Sequence, residues 1–153
     1  CLCEDTQELT RMKMADSLAV YVEQAAYAYF EHQIYELPEE ELTAENIRNL
    51  YARVGEDFGF DSLEWDTREY VALNHIYTEP MYLISYVVSN DAAFQLYELE
   101  QADAGAGGEK YRGMLFSEET QFCAFVENMD LESPFGKNRI PRVKEIMEKI
   151  LVP

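Results

Sequence analysis

The chain has 153 residues, enough to bury a core of its own, and at 48% hydrophobic and 13% aromatic residues it is far too apolar for a disordered tail. Its 30 acidic residues against 12 basic ones give a formal charge of -18, which repels nucleic-acid phosphates and anionic membrane faces and excludes both as partners. A single domain over residues 1–153, in a cytoplasmic setting, is expected.

From about Asp5 to Glu36 no proline or glycine interrupts the chain. Leu9, Met12, Leu18, Val22, Ala25, Ala26, Tyr29 and Ile34 recur there at helical intervals, which predicts one long helix. Pro38 and the run Glu39-Glu40-Glu41 end it. Thr43, with Glu45 and Asn46 behind it, is a good N-cap for a second helix to about Glu56, with Ile47, Leu50, Tyr51 and Val54 on its inner face. Ser62 can cap a short helix through Trp65 and Tyr70, which leads into a loop carrying His75. Pro80 suits a helix start, because the missing N–H has no intrahelical partner there, and a central helix is predicted near 80–101.

Gly105, Gly107 and Gly108 read as a flexible linker, followed by a short turn or helix from Glu109 to Met114. Ser117 with Glu118 and Glu119 is expected to start the next helix, with Phe122, Cys123, Phe125, Val126 and Met129 inward, ending near Ser133-Pro134. Pro141 is expected to open the last helix, with Val143, Ile146, Met147, Ile150 and Leu151 as its apolar stripe. No strand-like alternation or repeat is evident, so the fold class is all-α.

Cys1, Cys3 and Cys123 cannot all pair, and free thiols in a reducing compartment are expected. No signal segment opens the chain and no run is long and apolar enough to cross a bilayer. The chain does not begin with methionine, and is expected to be part of a longer protein.

A zinc site of the His-Glu-x-x-His kind needs two histidines one helical turn apart, and the sequence has no such motif. His32 and Glu36 stand at that spacing but read as a surface ion pair, so no metal and no cofactor is assigned to this chain. The glycines at 105 to 108 lack the lysine and hydroxyl of a phosphate loop. His75, Tyr82 and Tyr86 have a different logic. The two tyrosines are one turn apart and the preceding loop can fold His75 toward them, giving three neutral hydrogen-bonding tips. Such groups can donate to an oxyanion forming at an attacked carbonyl. They can equally be amphipathic core residues with hydroxyls satisfied at the rim and a loop-capping histidine. Spacing leaves both readings open.

The segment His75-Ile-Tyr-Thr-Glu-Pro-Met-Tyr-Leu-Ile-Ser-Tyr86, continued by Ala92-Ala-Phe-Gln-Leu-Tyr97, resembles the stretch after the zinc site in oligoendopeptidase F-type metallopeptidases of the M3 family. Phe30-Glu-His-Gln-Ile-Tyr35 with Leu42-Thr-Ala-Glu45 is similar to the family's helix hairpin, and Leu131-Glu-Ser-Pro-Phe135 to its C-terminal turn. The middle patch is the specific one.

The resemblance implies the C-terminal part of a larger all-helical zinc endopeptidase that cleaves short peptides in a deep channel. Zinc and the helix that binds it would belong to the remainder of that parent, which is then this chain's partner. His75, Tyr82 and Tyr86 would correspond to the side chains that bind the substrate backbone and steady the tetrahedral intermediate, and Tyr77 would bind substrate. The isolated chain would then be inactive. The alternative is a stand-alone helical module that binds a peptide or protein without catalysis.

Overall fold

The computed structural model describes residues 6–60 and 65–152. Among them all regular structure is helical, with seven α-helices and two short 3-10 turns. Helix α1, Thr6–Glu36, is the predicted long helix, and it stops where the Leu37 N–H turns back to the Ile34 carbonyl just before Pro38. Helix α2, Ala44–Asp57, begins as read: the Thr43 hydroxyl accepts the Asn46 N–H at 3.2 Å. Helices α3 (Asn74–Thr78), α4 (Ile84–Ala102), α5 (Ala106–Leu115), α6 (Phe122–Asn128) and α7 (Arg139–Leu151) follow.

Several expected boundaries move. The cap assigned to Ser62 lies outside the described residues, and the segment beyond Trp65 forms only a 3-10 turn, Glu69–Ala72. His75 sits on α3, not in a loop. The central helix begins at Ile84, because Pro80 and Met81 form a turn in which Met81 takes a left-handed φ of 62°, a conformation that cannot propagate a right-handed helix. Helix α7 opens at Arg139, so Pro141 falls within its first turn, where proline is still tolerated. Helix α6 starts at Phe122, past Ser117. With only two turns it buries Val126 alone, and Phe122 and Cys123, expected inward, are exposed.

The glycine segment is not a linker. Gly105 caps α5 with a φ of 93° and Gly107 lies in the first turn, where a Cβ would come within 2.5 Å of the Leu96 carbonyl oxygen. Glycine is required there for close approach.

The chain divides into two compact units, one formed by Ala19–Val87 and the other by the residues up to Leu18 with those from Val88 onward. In the first, α1 and α2 close on an aromatic core. Tyr51 stacks on Trp65 at 4.4 Å between ring centroids and meets Phe30 edge-on at 4.8 Å, while the Trp65 indole N–H donates to the Tyr51 carbonyl at 2.9 Å. Ala26, Tyr27, Ala28, Leu50, Val54, Ile76 and Leu83 complete it. Tyr29, one of the residues that recur at helical intervals, is exposed on α1 and packs its ring 6.0 Å from Phe58, while Tyr27 and Phe30 take the inner positions.

In the second unit the core is Met14, Phe94, Val126, Val143, Ile146 and Met147. It encloses a polar cluster: Arg139 donates to Asp91 at 2.6 Å, with both side chains 1% exposed, and Gln95 bridges Asp91 to both backbone groups of Glu132. Every donor has an acceptor at hand, as a buried ion pair requires.

Candidate functional site

The site lies in the Ala19–Val87 unit, where the Glu79–Leu83 segment folds α3 against the start of α4. Helix α3 is short, closed by Thr78 donating to the Asn74 carbonyl at 3.1 Å and by the Glu79 N–H to the His75 carbonyl at 2.9 Å. The chain then turns through Pro80 and Met81, and the Tyr82 N–H returns to the Glu79 carbonyl at 3.1 Å. Tyr82 therefore precedes α4 and Tyr86 lies in its first turn.

The three predicted groups meet. Ring centroids of His75 and Tyr82 are 4.8 Å apart, those of His75 and Tyr86 6.0 Å, and those of Tyr82 and Tyr86 5.5 Å with the rings nearly perpendicular at 86°. The Tyr86 hydroxyl lies 3.3 Å from His75 Nε2. His75 Nδ1 faces Glu79 Oε2 at 3.5 Å without forming a hydrogen bond, a distance at which ion pairing needs a protonated ring. The favourable tautomer keeps the proton on Nδ1, toward that carboxylate, and lets Nε2 accept from Tyr86. The Tyr82 hydroxyl makes no hydrogen bond among the described residues, and the side chain is 43% exposed. Tyr77 is not brought to the cluster. Two residues beyond His75 on the same helix, it lies on nearly the opposite face and is 61% exposed.

One residue at this site escaped sequence reading. Glu31 of α1 is completely buried, and its Oε1 accepts the Met81 N–H at 2.7 Å. The Tyr35 hydroxyl sits between two acceptors, the Ile76 carbonyl at 3.1 Å and Glu31 Oε1 at 3.4 Å. Burial first, and then the Glu31 charge, push the Tyr35 phenol above its ordinary pKa, so it stays a protonated donor. The available signal was an acid in helical step with Tyr27 and Ala28, but only the fold reveals that this face is the inner one.

No metal-binding arrangement of three or more His, Cys, Asp or Glu side chains occurs among the described residues. His32 and Glu36 form the expected exposed pair at 3.6 Å, and the Gln33 amide donates to the same Glu36 oxygen at 3.4 Å. Nor is any helix among these residues long and apolar enough to cross a membrane.

No family model matches the chain, and no curated protein matches it in sequence. A crystal structure of a protein provisionally described as an oligoendopeptidase F does match in three dimensions, with a TM-score of 0.79 and 24% identity over 97% of this chain. The likeness is one of fold. The chain covers 27% of that protein's length, so its helices reproduce the architecture of one portion of it.

Proposed function

We propose that this chain is the C-terminal portion of an M3-like zinc oligopeptidase and supplies the side chains that stabilise the tetrahedral intermediate of peptide-bond hydrolysis. The observation that carries the reading is the convergence of His75, Tyr82 and Tyr86, with one phenol hydroxyl unengaged and accessible. The shared helical fold with part of an oligoendopeptidase F-like protein supports it. The described residues do not fit a zinc ion, so in this reading the metal, the helix that holds it and the short peptide substrates meet these side chains only in the intact parent.

The chemistry assigned to this chain is donation of hydrogen bonds. When a peptide carbonyl is attacked, its oxygen gains charge, and a preformed donor stabilises that charge more than it stabilises the ground-state carbonyl. Tyr82 can donate without breaking an existing hydrogen bond. Tyr86 first has to leave His75 Nε2, or else it serves to hold the imidazole in place. Tyr82 is therefore the principal donor, and Tyr86 and His75 act as a coupled pair beside it. Tyr77, assigned to substrate binding by motif, would contact the peptide away from the cluster.

The exposed aromatic rings of Tyr77, Tyr82 and Tyr86, with the exposed Met81 side chain among them, also suit a module that grips a peptide without cleaving it. One experiment bears on both. The purified chain should contain no stoichiometric zinc and should not hydrolyse internally quenched peptides; chelator-sensitive cleavage by the chain alone would overturn the proposal. In the intact parent, peptide turnover distinguishes the peptidase from the binding module, which would show none.

A further inference from the structure

Glu31 is an expensive residue in its position. Among the described residues no cation pairs with it, in contrast to Asp91, and its Oε2 is buried with no hydrogen-bond partner. A buried carboxylate so incompletely satisfied is a poor choice for packing alone. Its one short contact is with the backbone of Met81, the residue whose left-handed φ of 62° a non-glycine residue adopts only where its surroundings hold it.

We infer that Glu31 is a positioning residue for the His75–Tyr82–Tyr86 cluster. Its Oε1 holds the Met81 N–H, and thereby the turn that aims Tyr82. The same oxygen lies beside the Tyr35 hydroxyl, which reaches the Ile76 carbonyl on the helix that carries His75. One carboxylate on α1 thus ties together the two segments whose side chains meet at 4.8 Å. When the tie is lost, Met81 relaxes to an ordinary negative φ and Tyr82 swings away from the imidazole, while the aromatic core through Tyr51 and Trp65 is untouched. The consequence for catalysis rests on the function proposed above; the geometric claim does not.

The test is NMR on the full 153-residue chain, reading ring-to-ring NOEs between His75 and Tyr82 and the exchange rate of the Met81 amide. In Glu31→Ala the NOEs should vanish and the Met81 amide should exchange about tenfold faster or more, with far-UV circular dichroism unchanged. Glu31→Gln, which keeps a carbonyl oxygen for the Met81 N–H, should restore both signals. Adding Met81→Gly to Glu31→Ala should restore the NOEs, because glycine takes the left-handed turn without help. NOEs and amide protection that persist in Glu31→Ala overturn the inference, as does a failure of Met81→Gly to restore the NOEs. If Glu31→Ala does not fold, Tyr35→Phe decides: weakened His75–Tyr82 NOEs support the tie, and unchanged ones overturn it. Lost NOEs in Glu31→Ala beside normal turnover of Tyr82→Phe in the intact parent would uphold the positioning role and overturn only the donor reading.

Discussion

Asp91 and Arg139 show how strongly single side chains are committed in this fold. Each is 1% exposed, and Arg139 reaches Asp91 through Nε at 2.6 Å while its Nη1 lies 3.5 Å from Glu132 Oε2. Removing one partner leaves a buried charge alone, so Arg139→Ala should lower unfolding free energy by about 3–5 kcal/mol. Replacing both, as Asp91→Leu with Arg139→Met, should recover most of that loss. Denaturant midpoints of the two variants check this, and equal losses would contradict it. In the sequence, Asp91 appears only as unusual polarity inside a helical pattern. Its partner is 48 residues away, a pairing no local spacing encodes. Glu31 was hidden for the same reason, since the Met81 amide it holds is 50 residues distant. His75, Tyr82 and Tyr86 were legible because all three lie within one short segment.

Among the elements, helix starts divide into those set locally and those set from afar. Thr43 announces α2 because the capping residue and the amide it serves are three residues apart. Helix α5 begins among glycines that resemble a linker, because the group that caps it comes from the preceding helix. The Glu100 carboxylate accepts the Gly105 N–H at 2.9 Å and the Gly107 N–H at 3.1 Å. These backbone donors, Gly105 foremost, hold the Glu100 carboxyl below its ordinary pKa. The sign follows: a depressed carboxyl contributes stability above its unfolded pKa of about 4.3, and that contribution is lost as pH falls through the lower folded value. Amides of Gly105 and Gly107 should therefore exchange faster in acid relative to the rest of α5, and in Glu100→Ala they should do so at every pH. Exchange rates indistinguishable from those of the unsubstituted chain would refute the cap. Helix α4 is the opposite case, delayed to Ile84 by a turn that α1 stabilises, so Pro80 alone misleads.

For the whole molecule, periodicity was enough to read an all-α chain, because each long helix has one stripe to bury. The identity of the core was less legible, since it is built from ring stacking between α1, α2 and the isolated Trp65. That core makes a pH prediction. Burial above all, with Glu23 and Glu69 for Tyr27 and with Tyr27 and Glu69 for Tyr51, pushes both phenols far above their ordinary pKa. A raised folded pKa means stability fully present below the unfolded value of about 10 and lost as pH rises above it. The melting temperature should fall steeply beyond that point, and less steeply in Tyr51→Phe; parallel curves would contradict the assignment.

Tyr82, set beside His75 and Tyr86 with its hydroxyl unengaged, is proposed as the principal oxyanion donor, and turnover of a quenched peptide by the intact parent carrying Tyr82→Phe measures that role. Loss of a free oxyanion donor predicts a fall in kcat of about 100-fold, roughly 3 kcal/mol, with KM little changed and a smaller fall for Tyr86→Phe. A kcat for Tyr82→Phe equal to that of the unsubstituted enzyme would contradict it.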